Sequence, residues 1–177
     1  METQRGLGAR RRAFGAAIML VVTLGGVALS GCGPEQVKAP NPTRSLDERR
    51  AIEVIRRGIQ AESANPAPGR DVKISTGATI HVDVGIEGHD YGIAYISIDD
   101  AHKLGSSIPP PNKKDERLRL MRGGDDGETR IVLLYQDNYL YDDLSGESHE
   151  QTTITAERAL MRDVEDFIIH ARTQKFR

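Results

Sequence analysis

The chain has 177 residues, 24 basic against 26 acidic side chains and a formal net charge of −2. A single cysteine excludes an internal disulfide, and the absence of tryptophan with only 5% aromatic residues argues against an aromatic-lined sugar groove. The length suits one ordinary domain with its own core.

Arg5, Arg10, Arg11 and Arg12 precede a charge-free run from Ala13 to Leu29, and the next charge is Glu35. A short apolar run after arginines, ending in small residues, reads as an export signal. It ends in Leu29-Ser30-Gly31-Cys32. These four residues resemble the lipobox of bacterial lipoproteins at every position. The resemblance implies a diacylglyceryl group on the Cys32 thiol, cleavage before Cys32 and acylation of the new amino group. Several acyl chains hold a protein far better than one. Gly33 in place of Asp implies an outer-membrane destination, facing the periplasm. The organisation expected is a signal peptide over 1–31, a lipidated tether over 32–44 and one domain over 45–177.

Loss of residues 1–31 removes four arginines and Glu2, so the mature 146 residues carry 20 basic and 25 acidic side chains. A net charge of −5 excludes nucleic acid as a charge-driven partner. It also leaves the acyl chains as the expected membrane contact.

Pro34, Pro40 and Pro42 make residues 33–44 a semi-extended tether reaching about 35 Å. Ser45 to Glu48 has the form of a capping box, with Ser45 as N-cap and Glu48 at N3. Ile52, Ile55 and Ile59, with Ala51 and Val54, then form one apolar stripe, and Arg49, Arg50, Arg56 and Arg57 cover the rest. This predicts an amphipathic helix ending near Ser63, before Asn65-Pro66.

Residues 71–86 read as strand. Ile80, Val82, Val84 and Ile86 alternate with Thr79, His81, Asp83 and Gly85. A turn at 87–90 leads to an uncharged strand over 91–98, apolar enough on both faces to be central. Its Gly92, Ala94, Ile96 and Ile98 face is the expected core face, with Gly92 and Ala94 admitting a helix. A short helix over 99–104 should stop at Gly105, before the stiff Pro109-Pro110-Pro111. A second hairpin follows, with strands at 117–121 and 131–135 and Asp126-Gly127 in its turn. Residues 137–150 read as an acidic loop. From Thr153 or Thr155 a last helix presents Leu160, Val164, Phe167, Ile168 and Ala171 as one stripe.

The order helix, hairpin, hairpin, helix predicts an α+β fold. The expected form is a two-layer sandwich, an antiparallel sheet of four to five strands with both helices on one face.

Chemical signatures are sparse. His149-Glu150 opens like a zinc-protease helix, but Thr153 stands where the second histidine is needed. The helix followed by Val82-Asp83-Val84 resembles the PD-(D/E)xK nuclease core, yet Ile93 to Ile96 lacks its carboxylate and lysine. His81 and Asp83 share the wet face of a strand, where imidazole and carboxylate suit a metal or a general base. Asp99, Asp100 and His102 follow the central strand, where Asp99 or Asp100 serves as an N-cap. Asp137, Asp142, Asp143, Glu147 and Glu150 lack the spacing of a calcium loop. No catalytic residue, metal ligand or cofactor is assigned, and Cys32 is the one modification site. The expected function is a non-enzymatic envelope lipoprotein that docks to an envelope protein partner or plays a structural part. The alternative is a metal-dependent binder or hydrolase using the His81/Asp83 or Asp99/His102 surface.

Overall fold

The computed structural model describes residues 43–112, 118–142 and 152–176. The signal segment, Cys32 and the tether up to residue 42 lie outside the described residues. So do 113–117 and 143–151, which include Asp143, Glu147, His149 and Glu150.

The chain begins as a two-residue strand, β1 (Arg44–Ser45), paired antiparallel with β9 (Leu140–Tyr141). Helix α1 spans Glu48–Ala61. Its N-cap is Asp47, which accepts the Arg50 N–H at 2.9 Å, and not Ser45. Both residues satisfy a local capping pattern. The deciding residue is Leu46, which is completely buried, so the chain stays extended through it and the helix starts two residues later. Ala51, Val54, Ile55, Gly58 and Ile59 face inward. The helix ends as expected before Pro66, through Ser63 in the left-handed region (φ 55°).

The central sheet has five strands in the order β2, β5, β6, β8, β7. These are β2 (Pro66–Ala67), β5 (Val84–Ile86), β6 (Tyr91–Ile96), β8 (Thr129–Tyr135) and β7 (Arg119–Gly123). The α+β class, the strand number and the placing of both terminal helices on one face are as expected. The purely antiparallel sheet is not, because β6 and β8 pair in parallel from Tyr91–Arg130 to Ile96–Tyr135. Helix α2 (Ile98–Leu104) carries the chain onward from the end of β6. The β7–β8 hairpin then inserts its second strand beside β6. Ile131 to Tyr135 is buried on both faces and belongs in the centre. Arg119 and Arg122 keep β7 at the edge.

The helices pack on the Tyr91, Ile93 and Tyr95 face, opposite to the face expected. Together with Val132 and Leu134 these residues meet the stripes of α1 and of α3 (Thr153–Thr173), including Leu160, Val164, Phe167 and Ile168. The tyrosine rings of this face fill the core. Tyr95 donates to the Leu46 carbonyl at 2.9 Å. Gly58 lets α1 and α3 approach closely, since a Cβ there would lie 2.9 Å from Val164 Cγ1.

The other face is covered by a second hairpin, β3 (Arg70–Lys73) with β4 (Thr79–Val82). Val72, Ile74, Ile80 and Val82 pack there on Ala94, Ile96, Ile131, Leu133 and Tyr135. Gly92 serves this approach and not a helix, because a Cβ would come within 2.6 Å of Val82 Cγ1. β4 runs on into β5, and β3 reaches β7 through an antiparallel bridge between Ile74 and Gly123. The strands therefore close into a ring around this second core. Ile98, expected on β6, instead opens α2 and is 45% exposed.

Candidate functional site

The C-terminal end of β6 gathers most of the polar residues singled out above. β4 pairs with β3 outside the central sheet, and β5 accompanies β6 only as far as Ile93, so the end of β6 lacks a strand neighbour on that side. Asp83, between β4 and β5, supplies the missing bonds. Its N–H donates to the Ile93 carbonyl at 2.9 Å, and its carboxylate accepts the Tyr95 N–H at 2.7 Å. Burial pushes the Asp83 carboxyl above its ordinary value, and the Tyr95 amide draws it partly back.

His81 is on the exposed face of β4, as expected. Its partner is Asp71, which stands directly opposite in the β3–β4 register. His81 Nδ1 lies 2.7 Å from Asp71 Oδ1, and the two side chains are 61% and 72% exposed. The hydrogen bond to Asp71 is the main reason the imidazole is held above its usual value, with Asp83 adding a smaller pull. His81 and Asp83 therefore do not act as a pair on one wet face. The register that brings in Asp71 depends on which strand faces β4, which the local alternation does not specify.

Asp99, Asp100 and His102 fall in α2. Ser97, not an aspartate, is the N-cap and accepts the Asp100 N–H at 3.1 Å. Its hydroxyl donates to Asp100 Oδ2 at 2.6 Å. Asp100 thus completes a reciprocal cap at the third helical position. Asp99 and His102 are exposed and make no hydrogen bond to each other among the described residues. Within those residues, no group of three or more His, Cys, Asp or Glu is arranged to hold a metal ion.

Two features escaped the sequence reading. Tyr139, placed in an acidic loop, is buried and donates to Asp163 of α3 at 2.7 Å. Burial raises the Asp163 carboxyl, and the phenol pulls it partly back down. Burial beside this carboxylate drives the Tyr139 phenol well above its ordinary value. A tyrosine four residues after a strand gave no local signal of this pairing. The other is a shallow open groove along α1. Arg49, Arg50, Arg56 and Arg57 line it together with Asp47, Glu53, Gln60 and, from α3, Glu157. Arg50 bonds Glu157, and Arg57 reaches the same carboxylate at 3.4 Å. The four arginines were visible as the polar side of a helix, but not the neighbour that shapes the groove.

No family model matches this chain, and no curated protein or solved structure shows significant similarity to it. Among the described residues, no helix is long and apolar enough to cross a membrane.

Proposed function

We propose that the chain is a lipoprotein of the bacterial cell envelope, acylated at Cys32 and held in the outer membrane facing the periplasm. Its α+β domain acts there as a non-enzymatic docking or structural module for another envelope protein. The observation that carries this reading is Leu29-Ser30-Gly31-Cys32 at the end of a charge-free run that follows four arginines. The local engagement of the candidate catalytic groups supports the non-enzymatic part. His81 pairs with Asp71, Asp83 holds a backbone amide, and Asp100 caps a helix.

Metabolic labelling with a fatty-acid analogue tests the anchor. The native chain takes up label, and Cys32→Ala remains an unlabelled precursor. Label on the Cys32→Ala chain would remove the lipoprotein reading. Crosslinking of the native protein in its own membranes should recover one envelope protein in preference to others. The rival, a metal-dependent activity, draws support from His81 beside Asp71 and the raised Asp83. It predicts a metal-dependent shift of the His81 ring resonances.

A further inference from the structure

Helix α1 carries four arginines and two glutamates in fourteen residues. Arg49 and Arg56, and likewise Arg50 and Arg57, are seven apart, so they repeat along the exposed side two turns on. Arg50 and Arg57 both converge on Glu157, whose side chain is 18% exposed. One carboxylate between two guanidiniums leaves positive charge in excess. Arg49 lies 3.6 Å from Glu53 with side chains 90% and 63% exposed, a pair that holds its partners weakly. Arg56 is exposed and forms no ion pair among the described residues. Asp47, Glu48 and Glu53 lie in the first half of the helix and offset Arg49 and Arg50 there, so the unbalanced positive charge of the strip sits at Arg56 and Arg57, on a mature chain that is acidic overall.

Two further observations bear on what covers it. Helix α3 lies beside α1 and exposes Ile154 and Ile169, at 59% and 50%, so the outer side of the helical layer mixes guanidinium and aliphatic groups. Such a mixture suits the boundary between headgroups and acyl chains. The second is chain length. Eleven residues lie between Cys32 and Arg44, and Arg49 follows five residues later. Even the full reach of about 35 Å expected of a proline-containing tether leaves an anchor at Cys32 holding α1 at high effective concentration over the lipid surface.

We propose that the arginine strip of α1 seats on the phosphate groups of the membrane in which Cys32 is anchored. Guanidinium groups bind phosphate in two-pronged fashion. The helical layer then faces the lipid, and the β3–β4 hairpin, on the opposite side of the central sheet, faces away. This inference rests on the lipoprotein reading and adds an orientation to it.

The chain has no tryptophan, so one introduced indole reports one position. The native lipoprotein is reconstituted into vesicles containing about 30% phosphatidylglycerol and a headgroup-linked quencher. Gln60→Trp, on α1, should be quenched at least about twofold more than Ser75→Trp, in the β3–β4 turn. The contrast should vanish in phosphatidylcholine and at about 0.5 M salt, where charges are screened beyond a few ångströms. It should also vanish when Arg56→Glu and Arg57→Glu are added. Equal quenching at both positions, or a contrast indifferent to salt and to the arginines, would overturn the orientation. The mass of the purified protein reports the acyl chains separately, and their absence overturns the anchor alone. In that case the chain is coupled to the vesicle through a maleimide lipid at Cys32. The same contrast there supports the strip as a phosphate-binding face, and its absence overturns it.

Discussion

Replacing Asp83 separates two effects that act on one carboxylate. It accepts the Tyr95 amide, which favours the fold, and it carries a half-buried charge, which opposes it. Asp83→Ala leaves the amide unpaired and should cost about 1–3 kcal/mol in a denaturant titration. Asp83→Asn keeps an acceptor and removes the charge, so it should be close to neutral at pH 7. The folded carboxyl titrates above its unfolded value, so its contribution to stability is fully present below the unfolded value. That contribution is lost as pH rises through the folded one. The stability of Asp83→Asn relative to the native chain should accordingly improve as pH rises from the ordinary carboxylate range through the raised folded value. His81 has the same sign, being raised by Asp71. Its contribution is present below about pH 6.5 and is lost as pH rises through the folded value. Its NMR titration midpoint should exceed that of an ordinary histidine, and Asp71→Asn should bring it down. None of this was readable along the chain. Period two placed His81 and Asp83 on one face, but β4 ends at Val82, and the residue after it turns inward to serve β6.

At the scale of elements, the helices were the legible part. Each has a continuous apolar stripe, and every stripe residue named for α3 is buried. Phe167 is completely buried against Tyr91, with ring centroids 5.7 Å apart at 88°. Phe167→Ala should cost about 3–5 kcal/mol by thermal or chemical unfolding. Gly58→Ala makes a finer test of the α1–α3 contact. Helix propensity alone favours alanine by about 1 kcal/mol. The added Cβ, however, would press on Val164 and on the Met161 carbonyl at 3.3 Å. A net loss of about 1–3 kcal/mol is expected, and a gain in stability would show that the helices part easily. Strand neighbours were less legible, because alternation reports burial and not pairing. The sign that β8 is central was nevertheless present. Ile131-Val132-Leu133-Leu134-Tyr135 has no polar position, while the segment from Arg117 to Arg122 is studded with arginine. The choice of helical face was misjudged because Gly92 and Ala94 were read as room for a helix. They make room for Val82 of the β3–β4 hairpin.

At the scale of the whole domain, the described residues form two cores on either side of one sheet, and a chain with a single cysteine has no disulfide to join them. Each is closed by aliphatic and aromatic residues. The melting temperature should therefore be unchanged by EDTA. A fall of several degrees, restored by one particular metal, would mean that a carboxylate cluster supports the fold.

The pairing of β1 with β9 and the packing of α1 on α3 join the two ends of the domain's sequence. Arg44 meets Tyr141, about a hundred positions away. The stripe of α1 is covered by residues from Ala156 onward. Folding must therefore wait for the last helix. Contacts this remote slow the search, toward milliseconds and beyond where local helical bundles need microseconds. A chain ending at residue 151 keeps the sheet under α1 but loses the α3 residues that complete the same core, Leu160, Val164, Phe167 and Ile168. It should show no cooperative melting transition, and while it is being synthesised it should stay open to proteases until the final twenty-odd residues emerge.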